Sequence, residues 1–320
     1  MKRESFGNYL EFDIRLGQHY HKDALNLNSG RYCLYYIIKA KQYKKLFIPY
    51  YTCKTILDIV NKCNIQYEFY TINELLEPVQ EYQLSIDEAF LYTNYFGLKQ
   101  ETVIKLASVY QSQLIVDNTL AFYAKSIKGI DTFYSARKFF GVPDGAYLYT
   151  NTIWENEVFE QSISYDRLSH LFKRIDLSIE EGRADHQNNE QKLDEDPIKL
   201  MSKLTDKLLM GIDYEAIKNK RIENYLFLDE FLKNENLLKI NYSKDSVPMI
   251  YPFLSKVNDL RERLVKNKIY TMIYWGNVLE WCSNDKTEYF LAKNIIALPV
   301  VQTYDKENMS QIIEILQKCL

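Results

Sequence analysis

LIVDNTLAFYAKSIKGIDTFYSARKFFGVPDGAYLYTN, residues 114–151, is the stretch whose reading decides the fold. LIVDN, DTFYSA and GAYLYTN are short apolar runs bounded by turn residues, and each is predicted to be a strand. Asp117 stands at the end of the first run and Ser135 near the end of the second. Between the second and third runs the chain turns through Gly141, Pro143 and Gly145, which places Lys138 on a loop between two buried elements. Packing gives no reason for a flexible cation there, so the lysine asks for a chemical explanation.

The residues before this stretch alternate in the same way. KKLFIPY (44–50) reads as a strand, and Ile56, Ile59, Val60 and Cys63 then recur at helical spacing after Thr52. IQYEFYTI (65–72) and AFLYTNYFG (89–97) read as further strands, followed by a helix over 102–111. Strands that are apolar on both faces and separated by helices predict an α/β fold: a mostly parallel sheet covered on both sides. Ligands of such sheets bind at the carboxyl ends of the strands. Residues 151–213 break the pattern. EEGRADHQNNEQKLDEDP is too poor in apolar residues to hold a core position and is expected to be a surface excursion or mobile flap. From Tyr214 a helical pattern leads to VPMIYPFLS, the helix NDLRERLVKNK, IYTMIYW, a polar loop, IALPVV and a closing helix. The division expected is a large domain over 1–213 and a small C-terminal α+β domain over 214–320.

Composition narrows the function. The chain has 320 residues, 47% hydrophobic and 26% charged, which suits a globular protein with one large core or a large and a small one. A net charge of -3 and the lack of a basic run argue against nucleic acid as a partner. Charges in MKRESFGNYLEFDI and the lack of a long apolar run point away from the membrane and towards the cytoplasm. Cys33, Cys53, Cys63, Cys282 and Cys319 have no metal or disulfide spacing and are expected to be reduced packing residues. His19, His21, His170 and His186 are expected to be solvated or hydrogen-bonded, with no metal site. Glycine-rich dinucleotide and phosphate loops, zinc-protease pairs and a hydrolase elbow are all missing.

Polar residues at strand ends remain. Ser29 and Gly30 precede the helix RYCLYYIIKAKQ, where free N–H groups favour a phosphate. Asn94 ends AFLYTN, Asp117 ends its strand, and Ser135 and Lys138 follow DTFY. Pyridoxal 5'-phosphate asks for this set: donors for its phosphate, a carboxylate for its ring nitrogen, a donor for its phenolic oxygen and a lysine for its aldehyde. The plainer readings are a solvated lysine at 138 and a turn-capping carboxylate at 117.

NSGR, IPYYT, VDNT, SARK and DGAYLYTN, in that order, resemble the fold-type I pyridoxal-phosphate enzymes, and among them the DegT-type nucleotide-sugar aminotransferases. KNKRIENY and IALPVV extend the resemblance through the C-terminal part. The resemblance implies that Lys138 carries the cofactor and Asp117 pairs with its ring nitrogen. It also implies that Ser135, Ser29 and the Gly30 and Arg31 backbone hold the phosphate, with Asn94 at the phenolic oxygen. A homodimer, an amino-acid donor and a keto-sugar acceptor follow in the same way. The sequence departs from the family at Arg31, at Cys53 where an aromatic ring usually stacks, and at Leu120. Tyr51 or Phe96 is a substitute for the missing ring.

Three classes of function compete. The first is transamination of a keto-sugar nucleotide in surface-polysaccharide synthesis, with Lys138 as the proton carrier. The second keeps the fold as a lyase, a dehydratase or a non-catalytic binder. The third reads Ser135 and Lys138 as the Ser-x-x-Lys of an acyl-transfer enzyme, a motif that should open a helix.

Overall fold

The structure is a computed structural model that describes residues 7–155 and 157–320. Seven strands form the main sheet: β1 (Leu25–Leu27), β2 (Lys45–Pro49), β3 (Gln66–Tyr70), β4 (Glu88–Thr93), β5 (Leu114–Asn118), β6 (Asp131–Ser135) and β7 (Ala146–Tyr149). Their spatial order is β1-β7-β6-β5-β4-β2-β3. Strands β3, β2, β4, β5 and β6 are mutually parallel, and β7 runs antiparallel to both β6 and β1. The helices α1 (Gly30–Lys41), α2 (Lys54–Cys63) and α3 (Gln100–Tyr110) provide the crossovers.

The central strands β4, β5 and β6 are almost wholly buried because each face has its own cover, whereas the edge strand β3 exposes Gln66, Tyr67 and Glu68. Leu46, Ile48, Ala89, Leu91, Ile115 and Phe133 pack in the cluster that contains Leu34 and Ile37 of α1 and Ile59 of α2. The alternate residues Phe47, Phe90, Tyr92, Leu114 and Val116 pack in another, which contains Val103 and Leu106 of α3. This split by odd and even positions is the strand period of two applied to the central strands, which are covered on both faces.

The 151–213 segment differs from its expected irregularity. It contains α4 (Ser169–Asp176), α5 (Ile179–Glu195) and α6 (Lys203–Met210). Ser178 caps α5 through the Glu181 N–H, and Glu180 and Glu181 lie in the first turn, which suits the helix dipole. A Cβ on Gly182 would lie 2.9 Å from the His170 carbonyl, so glycine permits α4 and α5 to approach closely.

From Tyr214 the chain forms α7 (Tyr214–Leu232), β8 (Ile250–Leu254), α8 (Leu260–Lys266), α9 (Val278–Trp281), α10 (Thr287–Asn294), β9 (Ile295–Pro299) and α11 (Lys306–Cys319). β8 and β9 form a second, antiparallel sheet. The stretch expected to be a polar loop therefore holds α9 and α10. Buried Val278, Leu291 and Ala292 anchor them, and Glu288 accepts the Ile72 N–H at 2.6 Å. Leu228, Leu298 and Leu316 share one apolar cluster with Phe90 and Val116, so the core is continuous across residue 213.

Candidate active site

Asp117 and Lys138 belong to the carboxyl-end side of the sheet. Asp117 is in register with Thr93 of β4 and Phe133 of β6, and is almost wholly buried. The Thr119 N–H donates to its Oδ1 at 2.8 Å. Burial pushes the carboxyl up to about 6, against the Thr119 hydrogen bonds and the charge of Lys138, which favour the anion.

Lys138 ends a 3-10 turn, Ala136–Lys138, directly after β6. The turn is fixed by the Ala136 N–H to the Gly145 carbonyl at 3.1 Å and the Phe140 N–H to the Ala136 carbonyl at 2.9 Å. Gly145 has φ +109°, and a Cβ there would lie 2.9 Å from Thr205 Cγ2, so glycine is needed. Its N–H also donates to the Asn28 carbonyl at 2.8 Å, which ties the lysine loop to the chain before α1. The Lys138 side chain is reachable by solvent, while Phe139 and Phe140 after it are buried. It opens into a concavity, so it is accessible but poorly hydrated. That loss of hydration lowers its pKa first, Arg137 and Arg31 lower it further, and Cys53 and Asp117 oppose them.

The start of α1 is the third part. Ser29 caps the helix in extended backbone and its buried Oγ has no hydrogen-bond partner. The Gly30 and Arg31 N–H groups are first-turn donors without intrahelical acceptors. A Cβ on Gly30 would come within 3.0 Å of Thr119 Cγ2, which places this helix start against the Asp117 turn. An orphaned hydroxyl, two free N–H groups and a glycine are a cradle for a phosphate-sized anion. The Arg31 guanidinium instead pairs with Asp194 of α5. Ser135 is buried and makes no capping hydrogen bond. Asn94 is fully buried: its Oδ1 accepts the Lys99 N–H at 3.0 Å and its Nδ2 donates to Gln100 at 3.1 Å. It braces the turn at Phe96 and Gly97 and keeps one amide proton free.

Neither substitute for the missing aromatic ring is free. Tyr51 stacks on Tyr95 at 5.5 Å, and Phe96 meets Tyr274 edge-on at 5.3 Å, both wholly buried. Cys53 is the N-cap residue of α2, with Sγ 3.3 Å from Thr55 Oγ1. His19 Nδ1 lies 2.6 Å from the Tyr147 hydroxyl and His21 Nε2 is 2.8 Å from the Phe122 carbonyl, whereas the buried His170 leaves its Nδ1 without a partner. All five cysteines are free, and the described residues contain no cluster suited to a metal.

Lys138 lines a cavity of about 590 Å³ with Arg174, Arg221, Lys268, Tyr274 and Tyr304, and no carboxylate of the described residues lines it. Arg221 was not singled out in the sequence. Its signal was an arginine on the buried face of α7, in line with Asn224, Tyr225 and Leu228. Tyr274 is both buried and part of this wall. The contribution of α5 was equally hidden: Glu190 pairs with Arg137, and Asn189 Nδ2 donates to the Pro143 carbonyl at 3.0 Å.

No family model matches the sequence and no curated protein is similar to it in sequence. Solved structures are similar in fold. One is a DegT DnrJ EryC1 StrS aminotransferase from Brucella abortus, 14% identical, with a TM-score of 0.61 over 92% of this chain and 85% of that one. Another is NtdA from Bacillus subtilis with bound cofactor PMP, 12% identical, with a TM-score of 0.63 over 92% and 73%. A third is PseC from Helicobacter pylori, an aminotransferase involved in the biosynthesis of pseudoaminic acid, 14% identical, with a TM-score of 0.62 over 92% and 86%. The chain has the fold of the DegT-type sugar aminotransferases, a fold-type I architecture.

Proposed function

We propose that the protein is a pyridoxal-phosphate-dependent aminotransferase that moves an amino group from an amino acid to a nucleotide-linked keto-sugar. The observation that carries this reading is the buried Asp117 beside the solvent-reachable Lys138, next to the unpartnered Ser29 hydroxyl. Ser29, the Gly30 and Arg31 N–H groups and Ser135 would hold the phosphate, and Asp117 the ring nitrogen. The remaining Asn94 proton would reach the phenolic oxygen. The cofactor, when bound, supplies the electron sink for breaking a C–H bond next to nitrogen. Lys138 would take that proton and return it one atom away; loss of hydration, with Arg137 and Arg31 nearby, lowers the pKa of its amine.

The same reading includes a cofactor-binding part to residue 213, a C-terminal part beyond it, and a homodimer. Exposed Phe172, Ile175, Leu177 and Ile179 supply an apolar surface consistent with such a dimer. Among the described residues no helix is long and apolar enough to cross a membrane, in keeping with a cytoplasmic enzyme. A second reading, a dehydratase or non-catalytic binder with the same cofactor, draws on Cys53, which leaves the ring without a stacking partner. The acyl-transfer reading lacks support, because the turn ends at Lys138 and no helix follows.

Borohydride reduction and peptide mapping test the proposal, with a pyridoxyl label expected on Lys138. A label on another lysine, or none, overturns it. An amino donor alone should convert the bound cofactor to its amine form. A keto-sugar nucleotide should then reverse that change and yield an amino sugar with its hydroxyls intact. A product lighter by one water identifies a dehydratase, and failure of both halves identifies a binder.

A further inference from the structure

Residues 9–16 read YLEFDIRL, in which Leu10, Phe12, Ile14 and Leu16 alternate strictly with Tyr9, Glu11, Asp13 and Arg15. That period of two is the pattern of a strand with one apolar and one largely charged face. In the single chain the pattern goes unused. The segment forms neither helix nor strand, and among the described residues it joins no sheet. Leu10 is 90% exposed, Phe12 73% and Leu16 71%, while Ile14 is half-buried. The arm lies along the end of α6. A Cβ on Gly17 would be 2.7 Å from the Met210 carbonyl, a Cβ on Gly211 would be 2.9 Å from Ile14 Cγ2, and Lys207 Nζ is 2.9 Å from Glu11 Oε2. These contacts hold the arm without covering its apolar side. An alternating segment with three bare large apolar side chains calls for another strand beside it.

The residues themselves indicate which strand. Set against a second copy of itself, antiparallel about Asp13, the segment brings Leu10 opposite Leu16, Phe12 opposite Ile14 and Glu11 opposite Arg15, each pair occurring twice. Every apolar side chain then lies on one face and both ion pairs on the other. The two Asp13 carboxylates meet on the axis and are the one unfavourable pair. Sliding by two residues in one direction sets Glu11 against Asp13 twice. Sliding in the other direction draws Gly17 into the ladder, yet Gly17 is held close against the Met210 carbonyl. Glu11 gives up only Lys207, an exposed partner that is readily exchanged. A self-complementary contact of this kind closes after two copies. A ribbon of two strands is weak alone, and the ends of α6 beneath Ile14 back it. We infer that residues 10–16 pair with the same residues of a second copy as an antiparallel ribbon. The pairing requires no cofactor and is separate from the transaminase reading and from the surface at Phe172.

Sedimentation of the full chain over a range of concentrations, together with hydrogen exchange, tests the ribbon. Glu11→Arg alone and Arg15→Glu alone should each associate roughly tenfold more weakly than wild type, because two attractive pairs become repulsive. Mixing the two variants, or combining both changes in one chain, should restore wild-type association, since each ladder again sets opposite charges face to face. Asp13→Asn should associate roughly threefold more tightly. Asp13→Cys treated with diamide should form a disulfide between chains at that position, where directly opposite residues are within reach of each other. The amides of residues 10–16 should become protected as concentration rises. A wild type that remains a single chain at every concentration overturns the inference. So does association unchanged by Glu11→Arg, or a mixture that fails to restore it. Protection of residues 10–16 that is independent of concentration marks an arm folded on its own chain and also overturns it. Weaker association of Asp13→Asn overturns the register about Asp13.

Discussion

The candidate site is bounded on one side by β5 and β6 and on another by α5, and the two are held in place by opposite means. Every residue of β5 and β6 is buried. Of the seventeen residues of α5, only Gly182, Asn189 and Leu193 are. The strands fix Asp117 and the Lys138 turn by dehydration and ladder hydrogen bonds. The helix is fixed by Glu190 on Arg137, Asp194 on Arg31 and Asn189 on the Pro143 carbonyl. Apolar packing is insensitive to salt, whereas half-exposed ion pairs are screened by it. The sheet side is thus rigid under most conditions, and the α5 side is adjustable.

Phe133→Ala should give the largest effect. Phe133 sits in the α1 cluster behind Gly30, and truncating a buried phenylalanine costs about 3–5 kcal/mol. Urea unfolding should show this loss equally at low and high salt. A cost that varies with salt would erase the contrast between the two sides. Asp117→Asn should have a smaller effect of the opposite sign. Its carboxyl is raised from 3.8 to about 6, so the folded state favours the protonated form and loses stability as pH rises through about 6. In cofactor-free protein the asparagine variant should be more stable by about 2–3 kcal/mol above that pH, with the advantage gone below pH 4. Cofactor should reverse the ranking. An advantage that persists in acid would show that the carboxylate is not penalised by burial. The smallest effect is expected for Glu190→Gln combined with Asp194→Asn, about 1 kcal/mol or less in global stability. Hydrogen exchange along α5 should nevertheless rise in the double variant, and wild type in 1 M salt should show the same rise. An α5 that stays protected in both conditions would mean that its position does not depend on charge.

The same contrast explains what the sequence could tell. LIVDN and DTFYSA were legible because strands covered on both faces must be apolar at every position, and the polar residues that end them stand out. Asp117, Ser135 and Lys138 were found on that basis. IEEGRADHQNNEQKLDE was opaque because its partners, Arg31 and Arg137, are far away in the chain and pair by charge, which leaves no period to detect. β1, LNL, is three residues long and carries no pattern. Arg221 was hidden because arginine is ordinarily a surface residue, and its burial is visible only once α7 is packed against Phe139.

The pairing of β1 with β7 bears on how the protein is assembled during synthesis. Leu25 lies opposite Leu148, and β7 alone supplies the main-sheet neighbour of β1. The parallel units from β2 to β6 have their neighbours within reach as soon as each strand leaves the ribosome. β1 has to wait, unpaired, until the chain beyond Lys138 has emerged, because a non-local ladder cannot form before both strands exist. Ser29 and Gly30 follow β1 directly, so the anion cradle acquires its final position together with the lysine turn and not before. A nascent chain that stops short of Ala146 should leave the ladder of β1 unformed and bind no cofactor.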